Sequence, residues 1–340
     1  MIRLQDIADM VGVSRTTVSN VIHGNTKRVS KQTIDKISAI LDEQGYVPNM
    51  GSMILTKNVS RIIGFVLGFD ETHGFNAMQD SFVGEFVGAL HKAADMHGYY
   101  VMLIDGKENE KVVNIASRWN IDGLIALGYS GETYYELKKK LNKPVILIDT
   151  YSDEEPEYMN VGIDDYSGGY QIGSYLLECG FDKALFLAET QMDSDYFRWL
   201  GFKKAMESKG SFCPKSRYLL IPQAYRLRVH MYEQQLERFL QAGALAFSSD
   251  YDAIEMMNFL YDKNIRIPDD ISITGFDDNM YATMIHPKLT TIHQDVSRKA
   301  YVAMERLLKV IQNEPVLTRN TKLPVQLVVR DSVRRRNNRK

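Results

Sequence analysis

Cysteine is nearly absent: Cys179 and Cys213 are the two in 340 residues. A chain of that size needs no disulfide staple, and neither thiol stands in a metal-type spacing, so both read as inert thiols of a cytoplasmic protein. Long apolar runs are absent too. None reaches the roughly 20 residues that a membrane-spanning helix requires. The opening stretch MIRLQDIADM is interrupted by charges, unlike the apolar centre of a signal peptide. Neither charge is in excess, with 41 Lys and Arg against 43 Asp and Glu. Catalytic signatures are missing as well: there is no phosphate-binding glycine loop, no G-x-S-x-G and no H-E-x-x-H. His91 and His97 lie six apart, which does not bring them to one helix face for a metal. These absences point away from an enzyme, a cofactor and a metal site. The aspartates Asp149, Asp164, Asp165, Asp277 and Asp278 keep a nucleoside or glycoside hydrolase as the rival reading.

What remains is an ordinary globular composition, 44% apolar and 25% charged, in a chain long enough for two or three domains. Near-neutrality hides a local bias. Residues 1–60 carry seven Lys and Arg against five Asp and Glu, and the final RRRNNRK is a basic, polar tail. Both permit contact with an anionic polymer.

Leu4, Ile7, Ala8 and Val11 repeat at helical spacing, so a short amphipathic helix spans 4–11. Gly12 suits a left-handed C-cap, and Ser14 suits the N-cap of a second helix, RTTVSNVI. A third helix starts at Ser30 and turns Ile34, Ile37 and Leu41 inward. Two short helices joined by a tight glycine turn and braced by a third make the helix-turn-helix plan. The second helix leaves Arg15, Thr16, Ser19 and Asn20 outward. Arg reads guanine bidentately, Asn reads adenine, and Thr meets a base edge or a methyl group, so this face suits double-stranded DNA.

The combination Asp6-Ile7-Ala8, Gly12-Val13-Ser14, Thr17-Val18-Ser19, Val29-Ser30, Thr33, Lys36 and Gly45-Tyr46-x-Pro48-Asn49 resembles the headpiece of the lactose repressor/galactose repressor family of bacterial transcription regulators. The resemblance implies that Arg15, Thr16 and Asn20 read bases, while Ser14, Thr17, Ser19 and Asn49 hold phosphates. It also gives a role to the apolar stretch YVPNMGSMILTK (46–57). In this family that segment is a hinge that becomes helical on operator DNA, and a leucine, here Leu55, wedges into the minor groove. The chain departs from the family pattern at Arg3, where a capping Thr is usual, and at Ser52 and Met53, where Ala and Arg are common.

From residue 62 the pattern changes to short apolar strands alternating with helices. Strands are expected at 62–69, 100–105, 123–128, 144–149 and 159–163, then at 183–188, 218–222, 243–249, 271–277 and 290–294. Helices are expected over 80–97, 165–179, 199–209 and 295–312. Uniformly apolar strands between helices argue for parallel sheets covered on both faces, and two series argue for two α/β lobes. The family resemblance continues through GIDDYSGGYQIGSYLLECG, FRWLGFKKAM, FSSDYDAIEMMNFLYDKNIRIPDDISITGFDD and HPKLTTIHQD. It implies a core of two Rossmann-like lobes, similar to periplasmic sugar-binding proteins, with crossovers near 161, 291 and 322.

The expected organisation is a helix-turn-helix domain at 1–45, a hinge at 46–60, a two-lobed effector and dimerisation domain at 61–330 and a basic tail at 331–340. Lobe one would hold 61–160 with 293–321, and lobe two 162–290 with 323–330.

Ligands of open α/β sheets bind beyond the carboxyl ends of the strands. Asp193 to Arg198, Ser249-Asp250 and Asp277 stand there in the second lobe. Carboxylates and an Arg can bracket the vicinal hydroxyls of a sugar. The resemblance implies effector contacts at Arg198, Ser249 and Asp277, with Ser249 where most relatives carry Asn. The first lobe offers Asp70, Phe75 and Asn76 from the loop FDETHGFNAMQD, and Tyr129 and Asp149 at strand ends. Trp199 reads equally as a stacking platform or as core, and Asp250 as the cap of the next helix. The expectation is a DNA-binding repressor, a homodimer on a near-palindromic operator, controlled by a small-molecule carbohydrate effector and without contact to membrane. A purine or nucleoside effector is the alternative within the same fold.

Overall fold

The computed structural model of the chain describes all residues except 1, 23, 47–58, 70, 73–74, 152–157, 209–212 and 337–340, and leaves out the side chains of 71, 72 and 75. The hinge residues Asn49 and Leu55 and the loop residue Asp70 therefore lie outside the described residues, and Phe75 is described by its backbone alone. The chain forms two compact units, residues 1–62 with 116–122 and residues 63–115 with 123–340.

In the first unit, α1 (Leu4–Val11), α2 (Arg15–Ile22) and α3 (Lys31–Glu43) stand where the periodicity puts them. Gly12 adopts φ +77° and its amide closes on the Ala8 carbonyl at 2.9 Å, a conformation that a side chain would strain. Ser14 accepts the Thr17 amide at 3.1 Å, and Ser30 accepts the Thr33 amide at 3.2 Å. Arg3 has no acceptor to offer as a cap. Instead Asp6 reaches back to the Arg3 amide at 2.9 Å and ties the first turn from inside the helix. Ile7, Ala8, Val18 and Ile37 are fully buried and form the core of this unit.

In the core, the first sheet runs β13–β7–β6–β5–β1–β4, built from β1 (Ile62–Leu67), β4 (Tyr100–Asp105), β5 (Gly123–Leu127), β6 (Val145–Ile148), β7 (Met159–Ile163) and β13 (Asn320–Leu323). The second runs β11–β10–β8–β9, from β8 (Leu185–Ala188), β9 (Tyr218–Leu220), β10 (Ala244–Phe247) and β11 (Ser272–Thr274). The pairs β1–β5, β5–β6, β6–β7, β7–β13, β8–β9, β8–β10 and β10–β11 are parallel. In both sheets the first strand lies between the second and the third, so each has a topological switch point beside its first strand. Strands β5, β6, β8 and β10 are buried along their whole length, as parallel strands covered on both faces should be.

Most strands stop one to four residues short of the ranges expected from sequence; Asp149, Ser248-Ser249 and Asp277 leave the ladder at the carboxyl ends of three of them. The loop FDETHGFNAMQD holds two more short strands, β2 (Glu71–Thr72) paired with β3 (Phe75–Asn76), and a 3₁₀ turn at Ala77–Gln79.

Three passages join the lobes. After β7, Asp164 caps α7 (Asp165–Glu178), which packs in the second lobe. After β12 (Thr291–Gln294), Asp295 caps α11 (Val296–Ile311), whose buried face packs with the first sheet. Pro324 separates β13 from β14 (Val325–Val328), which pairs antiparallel with β12. The crossovers thus fall at Asp164, Asp295 and Pro324, beside the 161, 291 and 322 read from sequence.

Candidate functional site

On the headpiece, Arg15 and Thr16 are exposed at the start of α2, and Ser19 and Asn20 are half-buried one turn later. Ser14 and Thr17 bond each other, hydroxyl to hydroxyl, at 2.9 Å while Ser14 also accepts the Thr17 amide. Their hydroxyls therefore stabilise the helix start in addition to any outside contact.

In the core, a cleft of about 420 Å³ opens at the carboxyl ends of both sheets. From the first sheet it takes Phe69 beyond β1, Leu127 to Ser130 at the end of β5, and Ile148 to Thr150 at the end of β6. Asp80, Phe82 and Val83 come from the start of α4 (Ser81–Asp95), which Asp80 caps through the Val83 amide at 3.0 Å. The second lobe adds Asp193, Ser194 and Arg198 from α8 (Asp193–Glu207), then Asp277 and, on β12, Gln294. The volume and the mixture of aromatic walls with a few convergent polar groups fit a small polar ligand.

Arg198 is held by a backbone-to-backbone crossing of α7 and α8. A Cβ at Gly169 would meet the Arg198 carbonyl at 1.8 Å, and one at Gly201 would meet the Tyr166 carbonyl at 1.9 Å, so glycine is required at both. That approach lets Arg198 Nε donate to Asp165 Oδ1 at 2.7 Å, with Nη1 donating to the Ser248 carbonyl at 2.5 Å. The guanidinium lies 3.7 Å over the Phe276 ring, and Nη1 is 4.0 Å from Asp277 Oδ1. Tyr151 donates to the other Asp165 oxygen.

Burial works against the charge on Arg198, but Asp165 and then Asp277 outweigh it and keep it cationic. Burial likewise lifts the Asp277 carboxyl to about 6, against the pull of Arg198. Asp165 is raised by burial, and Asp193 by burial and its neighbour Asp195. On the first-lobe side, Asp149 Oδ2 accepts from Lys299 Nζ at 2.6 Å, and Lys299 also donates to Gln294 Oε1 at 2.8 Å. Gln294 Nε2 donates to Asp277 at 2.6 Å.

The cleft brings together five of the expected effector residues: Tyr129, Asp149, Asp193, Arg198 and Asp277. Tyr129 is buried, donates to the Gly106 carbonyl at 3.0 Å, and has its phenol pushed up to about 12 by burial. Three others stand elsewhere. Trp199 is 3% exposed and stacks on Phe202 and Tyr218, so of its two readings the structure takes the core. Ser249 does not line the cleft; it is the N-cap of α10 (Asp250–Asp262), accepting the Asp252 amide at 3.1 Å. Asn76 is exposed, caps the 3₁₀ turn through the Met78 amide at 2.9 Å, and is not among the residues that line the cleft.

Asp250 is not the helix cap expected of it. It is fully buried and accepts from Thr291 Oγ1 at 2.5 Å and the Asn279 amide at 2.9 Å. Burial, and then Asp277, raise its carboxyl well above the usual range.

Sequence reasoning missed Asp80, Thr150, Asp165, Gln294 and Lys299 as parts of this site. The HQD of HPKLTTIHQD, polar at the end of a strand, was a signal for Gln294. Lys299 gave none, since a lysine on an amphipathic helix reads as solvent-facing.

Residues 3–49 match the family described as bacterial regulatory proteins, lacI family, and residues 174–333 match a periplasmic binding protein-like domain. The HTH-type transcriptional regulator DegA of Bacillus subtilis is 28% identical over 339 residues, covering 97% of each chain. A crystal structure of the lac repressor dimer bound to operator and an anti-inducer superposes with a TM-score of 0.82 at 23% identity, over 98% of this chain and 99% of that one. A transcriptional regulator CelR–cellobiose complex superposes at 0.72 and 22% identity, over 98% of this chain and all of that one.

Proposed function

This chain belongs to the LacI family of bacterial transcription regulators, and from that premise we propose a repressor that binds a near-palindromic operator as a homodimer and answers to a carbohydrate in the core cleft. The observation that carries the proposal is the cleft itself. Polar anchors from two parallel sheets, Asp149 on one side and Arg198 and Asp277 on the other, converge on one cavity at the strand ends. Vicinal hydroxyls both donate and accept, so a sugar matches acids and a guanidinium together. A ligand that touches both lobes binds one lobe angle better than another and shifts the population towards it. Operator affinity follows through the hinge, where Asn49 holds a phosphate and Leu55 wedges between bases. Arg15, Thr16 and Asn20 read base edges, with Ser14, Thr17 and Ser19 along the backbone.

The homodimer is supported by two apolar surfaces of the core. A groove of about 1000 Å³ is lined by Tyr225, Tyr251, Ile254, Tyr281, Met284 and Ile285. The edge strand β4 exposes Tyr100 and Leu103. Open strand edges and apolar patches of this kind are normally covered, and a second copy would cover both. Among the described residues no helix is long and apolar enough to cross a membrane, and the site of action is the cytoplasmic chromosome. We assign no reaction to the chain.

Selection of DNA from a random pool by the full-length chain tests the proposal. A single consensus with two-fold related half-sites is expected, and a consensus without that symmetry would remove the dimer. Titration of the selected DNA with and without sugars then tests the cleft; affinity that no sugar alters would remove the carbohydrate effector.

A further inference from the structure

Helix α11 turns Val296, Ala300, Ala303, Met304 and Leu307 into the core, and in the same buried stripe stands Lys299, with no exposed surface at all. Packing alone would be served by an apolar residue there. A buried ammonium persists only when it is paired and hydrogen-bonded. Its partners are Asp149 Oδ2 at 2.6 Å and Gln294 Oε1 at 2.8 Å, with the Phe82 ring 4.8 Å away. Asp149, Gln294 and Phe82 all line the cleft, whereas Lys299 lies behind it.

That arrangement fixes two ligand-facing groups. A lysine only donates, so Gln294 must give Lys299 its carbonyl and is left with its amide for Asp277, at 2.6 Å. Asp149 is held at φ +50° with one oxygen on Lys299, and its other oxygen, Oδ1, is buried without a hydrogen-bond partner. Oδ1 lies against Gly162 of β7, so Lys299 is its carboxylate's charge partner, and the exposed fifth of the side chain is what a ligand meets.

The ligand-facing charges lean one way. Asp80, Asp149, Asp193 and Asp277 line the cleft with Arg198 as the one cation among the lining residues, and Arg198 is already bonded to a further acid, Asp165. A carboxylate or phosphate entering here would bring acceptors to a wall of acceptors and negative charge to negative charge. A hydroxyl donates to Asp149 or Asp277 and accepts from Arg198.

We propose that the cleft selects an uncharged polyhydroxylated effector over its carboxylate, phosphate and amino derivatives: its aspartates turn away the anions, and Lys299 is the positioning residue that, by neutralising Asp149 and orienting Gln294, keeps the site from favouring the cation. The proposal rests on the carbohydrate reading of the cleft given above. Lys299 makes the floor neutral enough for a neutral ligand. Without it, Asp149 faces the cavity as an uncompensated anion and the site turns towards cations.

The test uses the full-length chain and matched sets of each pentose, hexose and disaccharide: the parent sugar, its acid, its phosphate ester and its 2-amino derivative. Thermal shift identifies ligands and calorimetry gives affinities. Parent sugars are expected to bind, with the matching acid and phosphate at least tenfold weaker. A stronger acid, phosphate or amino derivative overturns the proposal while leaving the cleft as the carbohydrate site. No shift from any set removes the carbohydrate reading, and the proposal with it.

Lys299→Leu is then compared on the best parent and its amino derivative. The ratio of parent to amino-sugar affinity is expected to fall at least tenfold. Equal weakening of both would make Lys299 a structural residue and overturn its assigned role. Lys299→Met keeps the length of the stem and gives the same readout should the leucine variant fold poorly.

Discussion

The headpiece and the core present their working groups in opposite ways. The headpiece has a core of four fully buried residues, Ile7, Ala8, Val18 and Ile37, and carries Arg15 and Thr16 in the open on a short helix. Its polar groups meet water until a partner arrives, and its side-chain hydrogen bonds are local, between residues three or four apart. The cleft does the reverse. Three of its charges are buried or nearly so, and each of these is fixed by a residue outside its own helical turn or strand: Arg198 by Asp165, Asp277 by Gln294, Asp149 by Lys299. A surface reader needs only a stable helix beneath it. A buried anchor needs the whole fold, and its failure is felt as stability as well as function.

That contrast breaks most sharply at the α7–α8 crossing. Gly201→Ala drives a methyl group into the Tyr166 carbonyl, where backbone and not a flexible side chain must move. We expect a loss of at least about 3 kcal/mol from the core. Two-transition calorimetry should show the core melting early while the headpiece melts as before; a single unchanged transition would contradict the crossing.

Next in size, Arg198→Ala leaves Asp165 buried without its cation, a situation that costs about 3–5 kcal/mol. Urea melts measure the loss, and operator titrations should show no response to sugar. Replacing Asp165 with Asn in the same chain should recover part of the stability but none of the response.

On the headpiece side, Leu55→Ala should weaken operator binding by about 2 kcal/mol, on the scale of unstacking a base step, with the melting of the free protein unchanged. Equal operator affinity would end the wedge role. Ser30→Ala removes the cap on the Thr33 amide and should cost the headpiece about 1 kcal/mol.

The smallest effect concerns pH. Asp277 titrates at about 6 in the folded chain because burial holds the proton on, above the 3.8 of the free group. The folded state therefore binds this proton more tightly than the unfolded state. The stability it contributes is complete below about 3.8 and is lost as pH rises through about 6. Asp250 and Asp165, also raised, act in the same direction. Asp270 acts oppositely: the Arg266 side chain holds it at about 2, so its contribution disappears only in stronger acid. The core should thus melt a few degrees higher at pH 5.5 than at pH 7.5, and Asp277→Asn should flatten that slope.

How much of this could be read from the chain follows the same division. The three headpiece helices, their caps at Ser14 and Ser30 and the left-handed Gly12 depend on neighbours within four residues, and periodicity recovered them. The strands were legible because uninterrupted Val, Ile and Leu runs have few other uses. Arg198 and Asp277, which line the cleft, were legible by their place after a strand. The same rule offered Ser249, whose hydroxyl caps the next helix, because the residue after a strand is also the residue before a helix. It missed Lys299 because its partner Asp149 is 150 residues away, and nothing local distinguishes a buried lysine from a solvated one. Helix α8 begins six residues before the expected 199, since DSDYFR looks polar until its acids are seen at the helix start and its Arg in the cleft.

The crossing of Lys299 behind the cleft has a consequence for how such a regulator changes over generations. One base separates a lysine codon from a methionine codon, and methionine fits an apolar stripe. A single substitution at this position would replace no residue that touches the ligand, and yet alter the charge the ligand meets through Asp149 and Gln294. A duplicated copy of the gene could therefore acquire a different signal molecule by one change behind the cleft, and only afterwards refine the residues in direct contact.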